Sequence, residues 1–258
     1  MSKIIIKTEE QIEGIKKSSK LAAKTLKFIE SYVKEGVNTN FLDKKIDEFI
    51  RDNNALPAPL NYNGFPKSSC ISLNNVVCHG IPSKKIILKD GDILNIDITT
   101  ILDGYFGDTS KMYTVGEISA EAKRLIKATK KCLDIGIEQC KVGNYFGNIG
   151  YEIAKYARNV ENYGVVFEFC GHGVGIQFHE PPEIVHIAEK NSGKKMKKGM
   201  VFTIEPMINQ GKARTTIDKK DNWTARTIDG KLSAQFEHTI LITENSREVL
   251  TDIDNYYS

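Results

Sequence analysis

Asp103-Gly104 stands between two β-rich runs, residues 93–101 and 105–115, and no other feature constrains the chain as tightly. Asp-Gly supplies the positive φ angles that a two-residue turn needs, so the runs must fold back on each other as an antiparallel hairpin. The simplest register pairs Thr99 with Asp108 and Asp97 with Ser110. Side chains alternate faces along a strand, which puts Asp97 and Asp108 on one face as diagonal neighbours. Charge among apolar strand residues is costly unless it is paired or held by a cation. A solvated sheet face is the competing reading, and the hairpin alone does not decide between the two.

Helical periodicity brackets this hairpin. Thr8-Glu9-Glu10-Gln11 has the form of a capping box, and Ile12, Ile15, Ala22, Leu26, Ile29 and Val33 follow at helical spacing as far as Gly36. A second helix is expected from a Thr39 cap, with Leu42, Ile46, Phe49 and Ile50 on one face. Prolines, asparagines and a glycine between 57 and 66 mark a loop, and short strands are expected at 70–73 and 76–78. Further helices are expected at about 119–140, capped by Ser119, and at 147–161, with strands near 165–169, 201–208 and 234–243. Helices then strands, twice over, is the order of an α+β fold rather than of alternating βαβ units.

Two local matches point to a duplication. Lys89-Asp90-Gly91 and Lys197-Lys198-Gly199 are each followed by four residues, an isoleucine and an acid, Asp97 in one case and Glu205 in the other. His79 and His179 each open a His-x-x-Pro sequence. Their shared order suggests two related halves, approximately 1–116 and 117–258, and no linker separates them, so one domain spanning 1–258 is expected.

Composition narrows the setting. With 40% apolar and 27% charged residues the chain has the balance of a soluble globular protein. A net charge of +3 is too small to imply a nucleic-acid partner. No apolar run approaches the roughly 18–20 residues of a membrane span, and the apolar stretch 4–6 is too short for a signal peptide. The cysteines, Cys70, Cys78, Cys132, Cys140 and Cys170, are odd in number and lack structural-zinc spacing, so free and mostly buried thiols are expected. A cytoplasmic monomer is the expectation.

The repeat sharpens the chemistry. Glu205 lies inside the apolar run Val201-Phe202-Thr203-Ile204-Glu205-Pro206-Met207, and Glu237 lies likewise within 235–242. Asp97, Asp108, Glu205 and Glu237 could converge at a pseudo-symmetry axis, where they would need cations or retained protons. His172, framed by Gly171 and Gly173, fits a metal ligand close to backbone or a bulged strand. His79 and His179 fit neutral imidazoles flanking a substrate, or two turns sharing a proline stop. His186 and His238 have no such support and receive no role. No Gly-x-Ser-x-Gly elbow, Walker loop or His-Glu-x-x-His helix is present. Cys78 and His79 are adjacent on a strand and face opposite sides, which disfavours a Cys-His nucleophile. The lysine-rich stretch 194–198 reads as a solvated loop.

With Asp97, Asp108, His172, Glu205 and Glu237 in that order, the chain resembles the type I methionine aminopeptidases over nearly its whole length. The match includes Gly64-Phe65-Pro66-Lys67-Ser68, Val77-Cys78-His79-Gly80-Ile81-Pro82, Asp90-Gly91-Asp92, Gly107-Asp108-Thr109-Ser110, Cys170-Gly171-His172-Gly173, Phe178-His179-Glu180, Thr203-Ile204-Glu205-Pro206 and Glu237-His238-Thr239. The resemblance implies the α+β pita-bread fold, a curved antiparallel sheet backed by helices in two pseudo-symmetric halves. It implies two divalent ions, Mn, Fe or Co, with Ni or Zn also accepted. Asp97 would hold one, His172 with Glu205 the other, and Asp108 and Glu237 both. The implied reaction is attack of metal-activated water on the first peptide bond of nascent proteins, releasing the initiator methionine when the second residue is small. Glu205 would accept the proton, and His79 and His179 would touch the substrate and stabilise the tetrahedral intermediate. Tyr62, Phe65, Cys70, Phe178 and Trp223 would line the methionine pocket. The ribosome is an implied partner.

Departures are few. Pro59 stands where many bacterial relatives carry cysteine, and Phe65 where they often have tyrosine. The 32 positions from Glu205 to Glu237 leave no room for the helical insert of type II members, and helices begin near residue 8, as in the short bacterial form. A proline-directed peptidase of the same fold would be expected to carry a separate N-terminal domain. A binding protein that had lost catalysis would be expected to have lost ligands, and all five positions are filled.

Overall fold

The computed structural model describes residues 3–252. At the first helix, α1 (Glu9–Ile29), Thr8 and Gln11 cap reciprocally: the Thr8 hydroxyl accepts from the Gln11 N–H, and the Gln11 side chain accepts from the Thr8 N–H. The helix stops short of Gly36, because its last turn tightens into a 3₁₀ turn over Glu30–Tyr32. The second helix, α2 (Thr39–Asp52), is capped one residue earlier than expected. Asn38 Oδ1 accepts the Phe41 N–H at 3.0 Å, while the Thr39 hydroxyl is engaged instead with the backbone of Ser83.

Strands β1 (Leu56–Pro57), β2 (Cys70–Leu73) and β3 (Val76–Cys78) lead into the hairpin, β4 (Ile93–Leu102) and β5 (Tyr105–Thr114). Asp103 and Gly104 both have positive φ, and Asp97 pairs with Ser110 and Thr99 with Asp108, the register expected from the turn. β5 follows one edge of β4, and β1 and β2 share the other. Helices α3 (Ala120–Glu138) and α4 (Gly147–Asn159) come next, α3 capped by Ser119 as expected. The remaining strands are β6 (Gly164–Val165), β7 (Gly171–Gly173), β8 (Glu180–Ile184), β9 (Val201–Ile204), β10 (Met207–Asn209), β11 (Thr215–Ile217), β12 (Ala225–Thr227), β13 (Ser233–Gln235), β14 (His238–Ile242) and β15 (Arg247–Val249).

Three sequence expectations need correction here. The strand expected near 165–169 is only β6, with Val166 adding a single bond to Met207. The run 201–208 is two strands in two sheets, β9 in the order β15-β14-β9-β7-β8 and β10 in the order β13-β10-β6. Pro206 has no N–H to donate, and the ladder breaks at Glu205-Pro206. The run 234–243 breaks likewise at Phe236-Glu237, where the Glu237 N–H turns to the Ser110 carbonyl of β5. The acids thus sit at strand breaks, where side chains escape the ladder's alternation.

All sheet pairing is antiparallel. Leu94, Ile96 and Ile98 of β4 are fully buried in one apolar cluster with Leu26, Ile29 of α1 and Leu42, Ile46 of α2. Leu125 and Leu133 of α3 and Ile149 and Ile153 of α4 bury with Phe202, Ile204 and Ile240 of the second sheet. Each such side chain contributes about 1.5–3 kcal/mol. The alternate residues of β4, Asn95, Asp97 and Thr99, face away from the helices. Two buried hydroxyls join the sheets: Thr109 donates to the Glu237 carbonyl at 2.8 Å, and Thr239 to the Asp108 carbonyl at 2.7 Å. Among the described residues no helix is long and apolar enough to cross a membrane, and all five cysteines are free.

Candidate metal centre

Every residue given a site role from the sequence lines one cavity of about 320 Å³, joined there by Pro59, Asn63 and Thr99. Asp97 and Asp108 come from the hairpin face opposite the helices. Glu205 and Glu237 come from the two strand breaks. His172 sits at the centre of β7, where the pairing with β8 shifts by a bulge between His172 and Gly173. The bulge re-aims the imidazole, and the flanking glycines have no room for a side chain: a Cβ on Gly171 would lie 2.5 Å from the Thr203 carbonyl oxygen.

The donor atoms are close-set. One ligand atom each of Asp108, His172 and Glu237 lies within 4.8 Å of the others. His172 Nε2 is 3.6 Å from both Asp108 Oδ2 and Glu205 Oε1. On its other side the ring meets the Gly173 carbonyl at 3.0 Å, and a carbonyl only accepts, so Nδ1 carries the proton and Nε2 presents a lone pair. A lone pair facing two carboxylates needs a cation or a retained proton between them. Among the described residues no lysine or arginine lines the cavity. Asp97 Oδ1 is buried without a hydrogen-bond partner. Burial pushes Asp97 up to about 7 and Glu205 to about 8, and burial with the neighbouring acids drives Asp108 and Glu237 well above the carboxylate range. Burial holds His172 down at about 4, so its imidazole is neutral at pH 7. Four carboxylates and one neutral imidazole fit a pair of divalent cations, and this donor set does not select one metal.

Around these side chains lies a set of orienting groups that the sequence reading missed. Thr99 donates to Asp108 Oδ1 at 2.8 Å, Thr203 to Glu205 Oε1 at 2.7 Å, and Gln235 to Glu205 Oε2 at 3.3 Å. His186, given no role from sequence, is buried and accepts the Glu205 N–H through Nε2 at 3.3 Å. Thr99 was within reach of sequence reasoning, since the hairpin register sets it opposite Asp108. His186 was not, because a loop brings it to Glu205. His238 pairs with the Thr251 hydroxyl and does not line the cavity.

The opposite wall is aromatic. Phe65 meets Trp223 edge-on at 5.2 Å, and Tyr62 lies 4.8 Å from Phe178. His179 Nδ1 is 3.0 Å from the Tyr62 hydroxyl, and its ring is 4.1 Å from that of His172. His79 has a φ of 56°, beyond the end of β3, and stands edge-on to Phe169 and Trp223. Burial lowers His79 to about 4 and His179 to about 3, so both are neutral near pH 7. Burial raises the Cys70 and Cys78 thiols well above their ordinary range, which leaves neither as a thiolate nucleophile.

Comparison with known proteins agrees with this geometry. Residues 13–244 match the profile of metallopeptidase family M24. The chain is 50% identical over 248 residues to a methionine aminopeptidase of Rickettsia prowazekii, covering 96% of this chain and 95% of that one. It is 47% identical over 249 residues to the methionine aminopeptidase of Escherichia coli K12, covering 96% and 94%. The crystal structure of the Rickettsia prowazekii methionine aminopeptidase superposes with a TM-score of 0.95 over 96% of this chain and 100% of that one, at 50% identity. A prolidase from Pyrococcus furiosus shares the fold alone, with a TM-score of 0.76 at 24% identity over 96% of this chain and 65% of that one. These likenesses make the architecture the pita-bread fold, as the sequence resemblance implied. By its family profile and by relatives matched along nearly their full length, the chain belongs to the methionine aminopeptidases of metallopeptidase family M24.

Proposed function

We propose that the protein removes the N-terminal methionine of nascent proteins, preferentially before a small second residue, at the carboxylate–histidine centre. The observation that carries this reading is the cluster of buried acids, with no lysine or arginine among the described residues lining its cavity, beside an aromatic-walled slot. Asp97, Asp108, His172, Glu205 and Glu237 would together hold the divalent ions. The support for these roles is the shared cavity, the Nε2 lone pair of His172 and the orphaned Asp97 oxygen. Mn, Fe or Co is the proposed metal, with Ni or Zn also accepted. When bound, such ions supply Lewis acidity and ionise a water near neutral pH.

The chain's own residues do the rest. Thr203 and Gln235 steer the Glu205 carboxylate, which takes the proton of the attacking water and passes it to the leaving amine. His79 and His179, both neutral, offer N–H donors to the scissile carbonyl oxygen as charge develops on it. Tyr62, Phe65, Cys70, Phe178 and Trp223 enclose the methionine side chain, a long flexible thioether suited to aromatic walls. Pro59, at the same cavity, keeps apolar surface there.

The reading extends to the setting. The proposed form is a cytoplasmic monomer acting on chains as they leave the ribosome, without nucleic-acid specificity of its own. Free cysteines and the modest net charge support this. One catalytic domain with halves approximately 1–116 and 117–258 is part of the proposal, supported by ligands drawn from both.

The test is hydrolysis of Met-Ala-Ser, Leu-Ala-Ser and Met-Lys-Ser by chelated protein, before and after adding back Mn, Fe or Co. Metal-dependent release of methionine from Met-Ala-Ser alone is expected. Folded protein that binds two ions and cleaves none of the three would sink the proposal.

A further inference from the structure

Lys7 lies on the segment before α1, yet only 5% of its surface is exposed. Its N–H donates to the Gly199 carbonyl at 2.8 Å, which lays the segment against the turn leading into β9. Its ammonium donates to Glu180 Oε1 at 2.6 Å, with the two side chains 1% and 0% exposed. The same oxygen accepts the Ile176 N–H at 3.3 Å. Glu180 thereby ties residues 176–180 into a closed loop, whose preceding residue Gly175 bonds through its carbonyl to the Phe106 N–H. Two side chains of this loop, Phe178 and His179, form one wall of the cavity.

We propose that Lys7 is a positioning residue of the active site, acting through Glu180 on the loop that carries Phe178 and His179. A buried carboxylate is tolerated only with a counter-charge, and removing one partner of a buried pair leaves the other stranded. Without the Lys7 ammonium, the Glu180 carboxylate is left buried without its counter-charge and turns towards water, which frees the Ile176 N–H and opens the loop. The side chains of Lys7 and Glu180 share no hydrogen bond or ion pair with a proposed metal ligand, so the effect falls on the substrate side. The inference rests on assigning Phe178 to the methionine pocket and His179 to the scissile bond.

The deciding readout is the ratio of kcat/KM for Met-Ala-Ser to that for Leu-Ala-Ser, measured in saturating Mn. Loss of folded protein scales both rates equally and leaves the ratio untouched, whereas a displaced Phe178 wall changes it. Lys7→Met is expected to lower kcat/KM for Met-Ala-Ser about tenfold and to narrow the ratio about fivefold, with Mn binding unchanged. A second comparison avoids a lone buried charge. Lys7→Met/Glu180→Gln keeps a carbonyl for Ile176 and is expected to hold the ratio within about twofold of wild type, while Lys7→Met/Glu180→Ala narrows it about fivefold. Equal ratios in these two double variants, or a wild-type ratio in a folded Lys7→Met protein, would overturn the proposal. A wild-type protein that fails to prefer methionine would instead remove the reading beneath it, and the proposal with it.

Discussion

Asp108 is the residue on which the proposed centre turns. Its Oδ1 is held by Thr99 and its Oδ2 lies 3.6 Å from His172 Nε2. Asp108→Asn removes one charge from the proposed centre, and Met-Ala-Ser hydrolysis in excess Mn is expected to fall by roughly a hundredfold or more. Near-normal turnover would count against the assignment. His79 predicts a different pattern, because it packs against aromatic rings and no proposed ligand. His79→Ala is expected to lower kcat by about a hundredfold while metal content, read by elemental analysis, stays at the wild-type level. Metal loss in that variant would mean its role is misassigned. At this scale the sequence was most informative where local geometry is forced: the two-residue turn sets the register, and the register puts Asp97 and Asp108 on one face. Gln235 and His186 were illegible because nothing local marks a side chain whose partner, Glu205, lies across a loop.

At the scale of elements, the α2 cap was misplaced by one because Thr39 bonds Ser83, 44 positions away, whereas the α1 and α3 caps and the hairpin were readable, since each depends on a few adjacent residues. The breaks at Glu205-Pro206 and Phe236-Glu237 were not, because an acid inside an apolar run has the same strand propensity on either side of it. Pro206 was the one available signal. The Glu205 N–H turns instead to His186 and the Glu237 N–H to Ser110, and a pair of threonine hydroxyls adds to the seam between β5 and the start of β14. Thr239→Val removes the donor to the Asp108 carbonyl at a fully buried position, with little change in shape. It is expected to cost about 1–3 kcal/mol of stability. Denaturant melts with and without Mn measure this, and a loss below about 0.5 kcal/mol would mean the seam does not depend on that hydroxyl.

For the whole molecule, the metal-free state carries a pH signature. Asp97 and Glu205 have folded values of about 7 and 8, against roughly 4 in an unfolded chain. Between those limits the folded state holds protons that the unfolded chain has released. The contribution of these two acids to stability is therefore full below about pH 4 and is lost as pH rises through 7 to 8. A bound cation takes over from the protons, so adding Mn to chelated protein is expected to raise the melting temperature more at pH 8 than at pH 5.5. Equal gains at both would show that the acids are not the metal's ligands. The helical backing of the sheets could be read from periodicity, but the strand order β15-β14-β9-β7-β8 could not, because it is set by pairings between distant segments.

Those distant pairings also bear on when activity can begin. The hydroxyl bonds that join β5 to β14 link residues 128 and 131 positions apart. While the chain is being synthesised, the hairpin can close as soon as residue 115 has emerged, presenting Asp97 and Asp108 with no partner for either. Glu237 arrives only after more than a hundred further residues, and loop closure over that span is slow compared with a local turn. On the proposed ligand assignment, a growing or truncated chain that stops before Glu237 lacks one of the five donors and is expected to be hydrolytically silent.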